Sequence, residues 1–176
     1  MVLQVKEKIG VTNNERWTFK QVATENSITE DSNDSSVTVE LFLGRTDSQS
    51  YVGGSYSCYV TIDDKTKSFS GTIPYPTYID GGDDWYSLGK ITFDEVKHDD
   101  DGTKTVEIKS SLSSTAFTPS SASAEDEMIL TPIDIGTIRI VVNNEIKRAT
   151  PYYGINYEWK KCKAYVGDNY EWKKGK

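Results

Sequence analysis

Val37-Thr38-Val39-Glu40-Leu41-Phe42-Leu43 puts an aliphatic residue at every second position, with Thr38, Glu40 and Phe42 between them. Side chains on a β-strand point alternately to opposite faces, so this stretch predicts a half-buried strand. Tyr56, Cys58, Val60 and Ile62 repeat the pattern, with Ser57, Tyr59 and Thr61 on the other face. Val106, Ile108 and Leu112 alternate with polar residues in the same way. Leu3, Val5, Ile9 and Val11 keep a rough period of two, and Trp17 and Phe19 follow with Arg16, Thr18 and Lys20 opposite. Further strands are expected over 68–73, 90–96 and 127–131. No segment carries a helical period. About eight strands separated by turns predict an all-β chain, an antiparallel two-sheet β-sandwich of jelly-roll or immunoglobulin-like type.

The connections are read from their polarity. Residues 26–36 are polar and predict a loop. Asp63-Asp64-Lys65-Thr66-Lys67 predicts a hairpin turn, and residues 74–84, rich in Pro, Tyr and Gly, predict a long loop. Asp99-Asp100-Asp101-Gly102 predicts a second turn with Gly102 at positive φ. Residues 113–123 read as a Ser/Thr/Pro connection.

The last 35 residues repeat. VNNEIKRATPYYG (142–154) is followed by INYEWKKCKAYVG (155–167) and by DNYEWKKGK (168–176). A unit of 13 residues is too short to bury a core alone. The chain therefore divides into a β-sandwich domain, 1–133, and a small β-hairpin repeat module, 134–176. With loops centred on Ile155-Asn156 and Asp168-Asn169, Tyr152 faces Trp159 and Tyr165 faces Trp172 across their strands. These pairs make either a mini-core or an aromatic platform.

The charge is uneven. The chain carries −7 overall; residues 142–176 hold eight Lys/Arg and four Asp/Glu, which leaves −11 for residues 1–141. An acidic body argues against nucleic-acid binding, which needs a basic face. The basic tail suits a solvated strand edge or attraction to an anionic polymer. Residues 1–6 lack an apolar run and no stretch reaches the roughly 20 residues of a membrane span, so neither a signal peptide nor a membrane partner is expected. Cys58 and Cys162 form no disulfide framework, and free thiols are expected.

Few residues carry the pattern of a reactive site. His98 is the single histidine and reads as a turn-holding hydrogen-bonder. The acidic turn lacks the spacing of a calcium loop. No catalytic residue, metal site or cofactor is expected, and the chain reads as a non-enzyme. Aromatic faces beside carboxylates suit saccharides, because sugar C–H groups pack on rings while polar groups bind hydroxyls. Tyr75, Tyr78, Asp83, Asp84, Trp85 and Tyr86, near Asp80 and the glycines 81–82, form the leading candidate cluster. Tyr152, Trp159, Tyr165 and Trp172 form a second platform. Trp17 reads as core; Tyr51 and Tyr59 read as exposed.

Residues 98–106, His-Asp-Asp-Asp-Gly-Thr-Lys-Thr-Val, resemble a His-Asn-x-Asp-Gly-x-Lys-x-Val hairpin. Ser110–Thr115 resembles the strand that follows it. Ser120-Ser121-Ala122-Ser123-Ala124 and Ile129-Leu130-Thr131-Pro132-Ile133 resemble closing Ser-Ala-Ser-Gly and Leu-Thr-Thr-Ile-Pro elements. Together they resemble a β-sandwich module of tail and baseplate proteins in phages of Gram-positive bacteria, which includes carbohydrate-binding insertions of distal tail proteins. The likeness spans about 1–133 and is distinctive over 98–133. Asp99 replaces the hairpin Asn, acidic Glu125-Asp126-Glu127 replaces Ser-Gly, and the final Ile-Pro-Arg is absent. The tail resembles the Trp-Lys repeats that end many phage structural proteins.

That resemblance implies a virion protein assembled in the host cytoplasm. Its expected partners are a host cell-surface polysaccharide and other phage virion proteins, with homo-oligomerisation left open. Two functions follow from it: host adhesion through cell-wall polysaccharide, or a purely structural decoration, neck or tail-tip role in which the repeats dock a neighbouring subunit.

Overall fold

The computed structural model describes residues 3–30, 32–46, 50–80 and 84–133, with backbone alone at 50–51 and in the six strands between 138 and 174. The alternating segments become nine strands of a two-sheet sandwich: β1 Val5–Ile9, β2 Val11–Thr12, β3 Trp17–Thr29, β4 Asp34–Arg45, β5 Ser50–Ile62, β6 Lys65–Ile79, β7 Trp85–Lys97, β8 Thr105–Ser114 and β9 Ser121–Ile129. The four-stranded sheet has the order β1-β3-β4-β7 and the five-stranded sheet the order β2-β9-β8-β5-β6, with all pairings antiparallel. Phe19, Val39, Leu41 and Leu43 from one sheet meet Cys58, Val60, Ile108, Leu112 and Met128 from the other in a single core. Trp17 is buried, as expected, with the Arg45 guanidinium 4.7 Å from its ring centroid.

The first predicted strand is two. β1 lies in the four-stranded sheet and β2 in the five-stranded one, and the chain crosses at Gly10. A Cβ there would stand 2.1 Å from the Ser123 carbonyl oxygen, so only glycine fits where the strand changes sheets. The apolar members of this segment face out. Val5, Ile9 and Val11 are exposed, because β1 and β2 sit at the sheet edges with the opposite parity to their neighbours' core residues.

Two expected loops are largely strand, and a third is strand at both ends. Residues 26–29 and 34–36 extend β3 and β4 rather than forming a loop. Their polar side chains bond across the ladder: Asn26 Nδ2 donates to Thr38 Oγ1 at 2.8 Å, and Ser36 Oγ to Asp94 Oδ1 at 3.0 Å. Strand β6 likewise continues to Ile79. A register irregularity between Val52 and Gly54 absorbs Pro74 and Pro76, which cannot donate to the ladder, and pairing resumes at Val52 opposite Thr77. Of the expected 113–123 connection, only the segment between Ser114 and Ser121 is outside the strands.

Both turns lie where the sequence places them, but the first is shorter than expected: Ile62 pairs with Lys65 across Asp63-Asp64, so Lys65, Thr66 and Lys67 belong to β6. Gly102 has φ 82°. His98 is buried and its Nδ1 lies 2.9 Å from the Gly102 oxygen, so it holds the turn as expected. On the open side between the edge strands β6 and β7, Lys67 Nζ donates to the Thr92 oxygen at 2.7 Å and Lys65 Nζ to the Glu95 oxygen at 3.3 Å. These lysines cap backbone acceptors that an edge would otherwise offer to another chain.

The tail is three separate two-stranded ladders: β10 Ile138–Val142 with β11 Glu145–Ala149, β12 Tyr152–Ile155 with β13 Glu158–Lys161, and β14 Tyr165–Asp168 with β15 Glu171–Lys174. The ladders recur with the 13-residue period but straddle the boundaries between units, with Glu145, Glu158 and Glu171 opening the second strands. The expected register is corrected by one residue per strand. Trp159 lies opposite Gly154 and Trp172 opposite Gly167, while Tyr152 and Tyr165 face Lys161 and Lys174. The ladders close at Ile155–Glu158 and Asp168–Glu171, one residue later than the assumed loops.

Candidate functional site

One end of the outer face of the five-stranded sheet, over β5, β6 and the adjoining ends of β8 and β9, is made almost wholly of hydroxyls. Because Tyr56, Cys58, Val60 and Ile62 turn inward, alternation turns Ser55, Ser57, Tyr59 and Thr61 outward. The register then lines up rows across the sheet. Ser57 stands between Ser70 and Ser113, and Ser113 is opposite Ser121. Tyr59 stands between Ser68 and Ser111, and Ser111 is opposite Ser123. Neighbouring hydroxyls pair: Ser55 with Thr72 at 3.2 Å, Ser57 with Ser70 at 3.2 Å, and Thr61 with Thr66 at 2.8 Å.

Short side chains leave a shallow trough of about 500 Å³ over Ser55, Ser57, Ser70, Gly71, Thr72 and Ser113. An exposed tyrosine stands toward each end. Tyr59 is 49% exposed, and Tyr75 is 78% exposed. The Tyr75 Cβ lies against Gly53, where an added Cβ would come within 2.4 Å of it. From Gly53 to Tyr59 a strand covers about 20 Å. The rows between them hold no charged side chain; charge begins at Lys109, which bonds Glu107 at 2.9 Å and Glu125 at 3.5 Å. Tyr78, 42% exposed, alternates with the buried Ile79 and so faces the same way, opposite Tyr51, whose side chain is outside the described residues.

The cluster expected around the 74–86 segment is divided by the sandwich. Tyr75 and Tyr78 belong to the five-stranded sheet. Trp85 lies on the outer face of the four-stranded sheet, flat against Gly44, where a Cβ would come within 2.8 Å of the indole Cε3 and Cζ3. The Lys20 ammonium sits 4.3 Å from the Trp85 ring centroid and 5.2 Å from that of Phe42, and bonds Glu7 at 3.3 Å. Tyr86 packs against the core. Asp84 accepts the Asp80 backbone N–H at 2.9 Å. Asp83 and the side chains of Tyr152, Trp159, Tyr165, Trp172 and Cys162 lie outside the described residues.

The parts of the hydroxyl face are visible in the sequence. Ser55-x-Ser57-x-Tyr59-x-Thr61, Thr66-x-Ser68-x-Ser70-x-Thr72, Ser111-x-Ser113 and Ser121-x-Ser123 all carry a period of two. Serine and threonine are ordinary on the solvent side of strands, so the pattern by itself marks no site. What the sequence lacks is the register that puts the four segments side by side.

Other chemistry is confined. Cys58 is buried and free, and burial pushes its thiol up to about 12. No group of three or more His, Cys, Asp and Glu side chains among the described residues is placed to hold a metal ion. Comparison of the chain with protein-family models, with curated proteins and with solved structures found no match in any of the three.

Proposed function

We propose that this protein is a non-enzymatic virion component of a phage of Gram-positive bacteria, and that it adheres to host cell-wall polysaccharide through the five-stranded sheet. The observation that carries the proposal is the uncharged hydroxyl trough flanked by Tyr59 and Tyr75. Serine and threonine hydroxyls both donate and accept, as sugar hydroxyls do, and a tyrosine ring offers an apolar face to sugar C–H groups. The span of about 20 Å between the two tyrosines, with the trough inside it, suits an extended chain rather than a single sugar. The resemblance of residues 98–133 to baseplate modules supports the virion assignment, where many copies would convert weak sites into avidity.

A structural role is favoured by a different surface. Val5, Ile9, Val11 and Ile129 are exposed on the edge formed by β1, β2 and β9, with Val11 at 71% and Ile129 at 70%. Such residues suit contact with a neighbouring virion subunit, and the two roles are compatible.

The test is binding of the multimerised protein to host cells and to their extracted wall polysaccharide. Tyr59→Ala and Tyr75→Ala should each weaken binding about 2- to 12-fold, the equivalent of roughly 0.5–1.5 kcal/mol per ring. Trp85→Ala should leave it unchanged. No binding by the multimerised wild type sinks the proposal; loss with Trp85→Ala alone moves the site to the other sheet.

A further inference from the structure

Glu25 is an ionisable residue with 0% exposure, on the inward face of β3. Its two oxygens have different partners. Oε2 accepts the Thr131 N–H at 3.0 Å and the Thr131 hydroxyl at 2.7 Å. Oε1 lies 2.7 Å from Ser35 Oγ. Ser35 Oγ lies 2.8 Å from His98 Nε2, and His98 Nδ1 lies 2.9 Å from the Gly102 oxygen. Ser35 and His98 are both buried.

Counting protons over these contacts leads to a definite state. The Gly102 carbonyl only accepts, so His98 Nδ1 carries a hydrogen. A neutral imidazole would then present a bare Nε2 to Ser35, and an ionised Glu25 presents a bare Oε1 to the same hydroxyl. Ser35 has one proton for two acceptors. One of the two contacts would set lone pair against lone pair at 2.7 or 2.8 Å inside the core, a costly arrangement in low dielectric. A single added proton satisfies every atom: Nε2–H donates to Ser35, and Ser35 donates to Glu25. Ser35 Oγ donates its one hydrogen to Glu25 Oε1, so the hydrogen between Ser35 and the imidazole stands on Nε2.

We infer that Glu25, Ser35 and His98 form a one-proton relay, carboxylate–hydroxyl–imidazolium, that clamps the root of the C-terminal segment through Thr131. The relay joins β3, β4, the turn after β7 and the chain just beyond β9. Charged groups on the surrounding elements are already engaged: Asp34 with Lys97 at 2.8 Å, Lys104 with Asp63 at 2.9 Å and Lys6 with Asp126 at 3.5 Å. In the turn, Asp101 accepts the Thr103 N–H at 2.9 Å, the Asp99 N–H donates to the Thr103 oxygen at 2.8 Å, and Asp100 faces solvent. Loss of the shared proton restores the conflict at Ser35 and loosens the Glu25 grip on Thr131.

His98 is the only histidine, so nitrogen NMR of the full-length protein labelled at histidine reads the relay without ambiguity. At pH 7 both ring nitrogens should be protonated. In Glu25→Gln the amide can donate to Ser35, which then donates to Nε2, so that variant should fold and show a neutral ring with one N–H. Exchange protection of the Thr131 amide should fall over the same pH interval in which the wild-type ring loses its proton. A neutral ring in the wild type at pH 7, or an imidazolium persisting in folded Glu25→Gln, would overturn the relay. Should Glu25→Gln fail to fold, the wild-type spectrum still decides. Thr131 protection that ignores the ring's titration would overturn the clamp.

Discussion

Replacing Gly10 with alanine tests whether one strand is shared between two sheets. The added Cβ would stand 2.1 Å from the Ser123 carbonyl oxygen, 2.8 Å from Ala124 Cβ and 2.9 Å from the Ser123 carbonyl carbon, against a working minimum of 3.0 Å. The first contact requires a shift of almost 1 Å. It is to backbone held on both sides, since Val11 pairs with Ser123 and Ser123 with Ser111. Overpacking of this kind costs about 1–3 kcal/mol. The alanine also lowers the entropy of the unfolded chain, which returns roughly 0.4–1 kcal/mol where the backbone conformation suits it. At the centre of these ranges a net loss of about 1.3 kcal/mol follows, with the clash dominant. With a urea m-value of roughly 2 kcal/mol/M, the unfolding midpoint should fall by about 0.7 M. Urea titration followed by tryptophan fluorescence measures it, with Ser70→Ala as a surface control. Adding Ala124→Gly removes the 2.8 Å contact and leaves the 2.1 Å one, so it should not rescue stability. An unchanged midpoint, or full rescue by Ala124→Gly, would refute the argument that backbone proximity makes glycine obligatory here.

Two further outcomes follow from the burial of single groups. In a Cys162→Ser background, Cys58 should resist thiol reagents at pH 8 and react once the chain is unfolded in denaturant, since its thiol is pushed up to about 12 in the core; fast reaction of native protein would contradict its burial. For Asp34, burial raises the carboxyl, but hydrogen bonds from Lys97 and Ser32 and the Lys97 charge outweigh it and hold it below its ordinary value of 3.8. A lowered native value stabilises the fold above pH 3.8 and ceases to do so as the pH falls through it. Wild type should therefore exceed Lys97→Met in stability at pH 6 and lose that margin in acid, as measured by denaturant midpoints at the two pH values.

Much of the sandwich was legible because a half-buried strand writes its burial into a period of two. Val37 to Leu43 and Tyr56 to Ile62 needed no partner to declare which side chains face the core. The turns at Asp63-Asp64 and Gly102 were legible for the same reason: acidic residues and glycine mark tight turns locally. Errors arose where polarity was read as irregular structure. Residues 26–36 looked like a loop, yet Glu25, Ser35 and His98 satisfy one another inside, and Asn26 and Ser36 bond across the ladder outside. Tyr75 and Trp85 looked like one cluster because they are near in sequence. The chain between them crosses from one sheet to the other and leaves them on opposite faces.

The sequence by itself determined the all-β class and the core-facing members of β4, β5 and β8, because alternation and turn chemistry are properties of neighbouring residues. Only the tertiary structure decided which strands share a sheet, that Gly10 carries one strand between the two, and that four serine- and threonine-bearing segments lie side by side as a single trough. It alone set Ser35 between Glu25 and His98. Pairings between residues tens of positions apart depend on how the strands stack against a common core, and no local pattern records that choice.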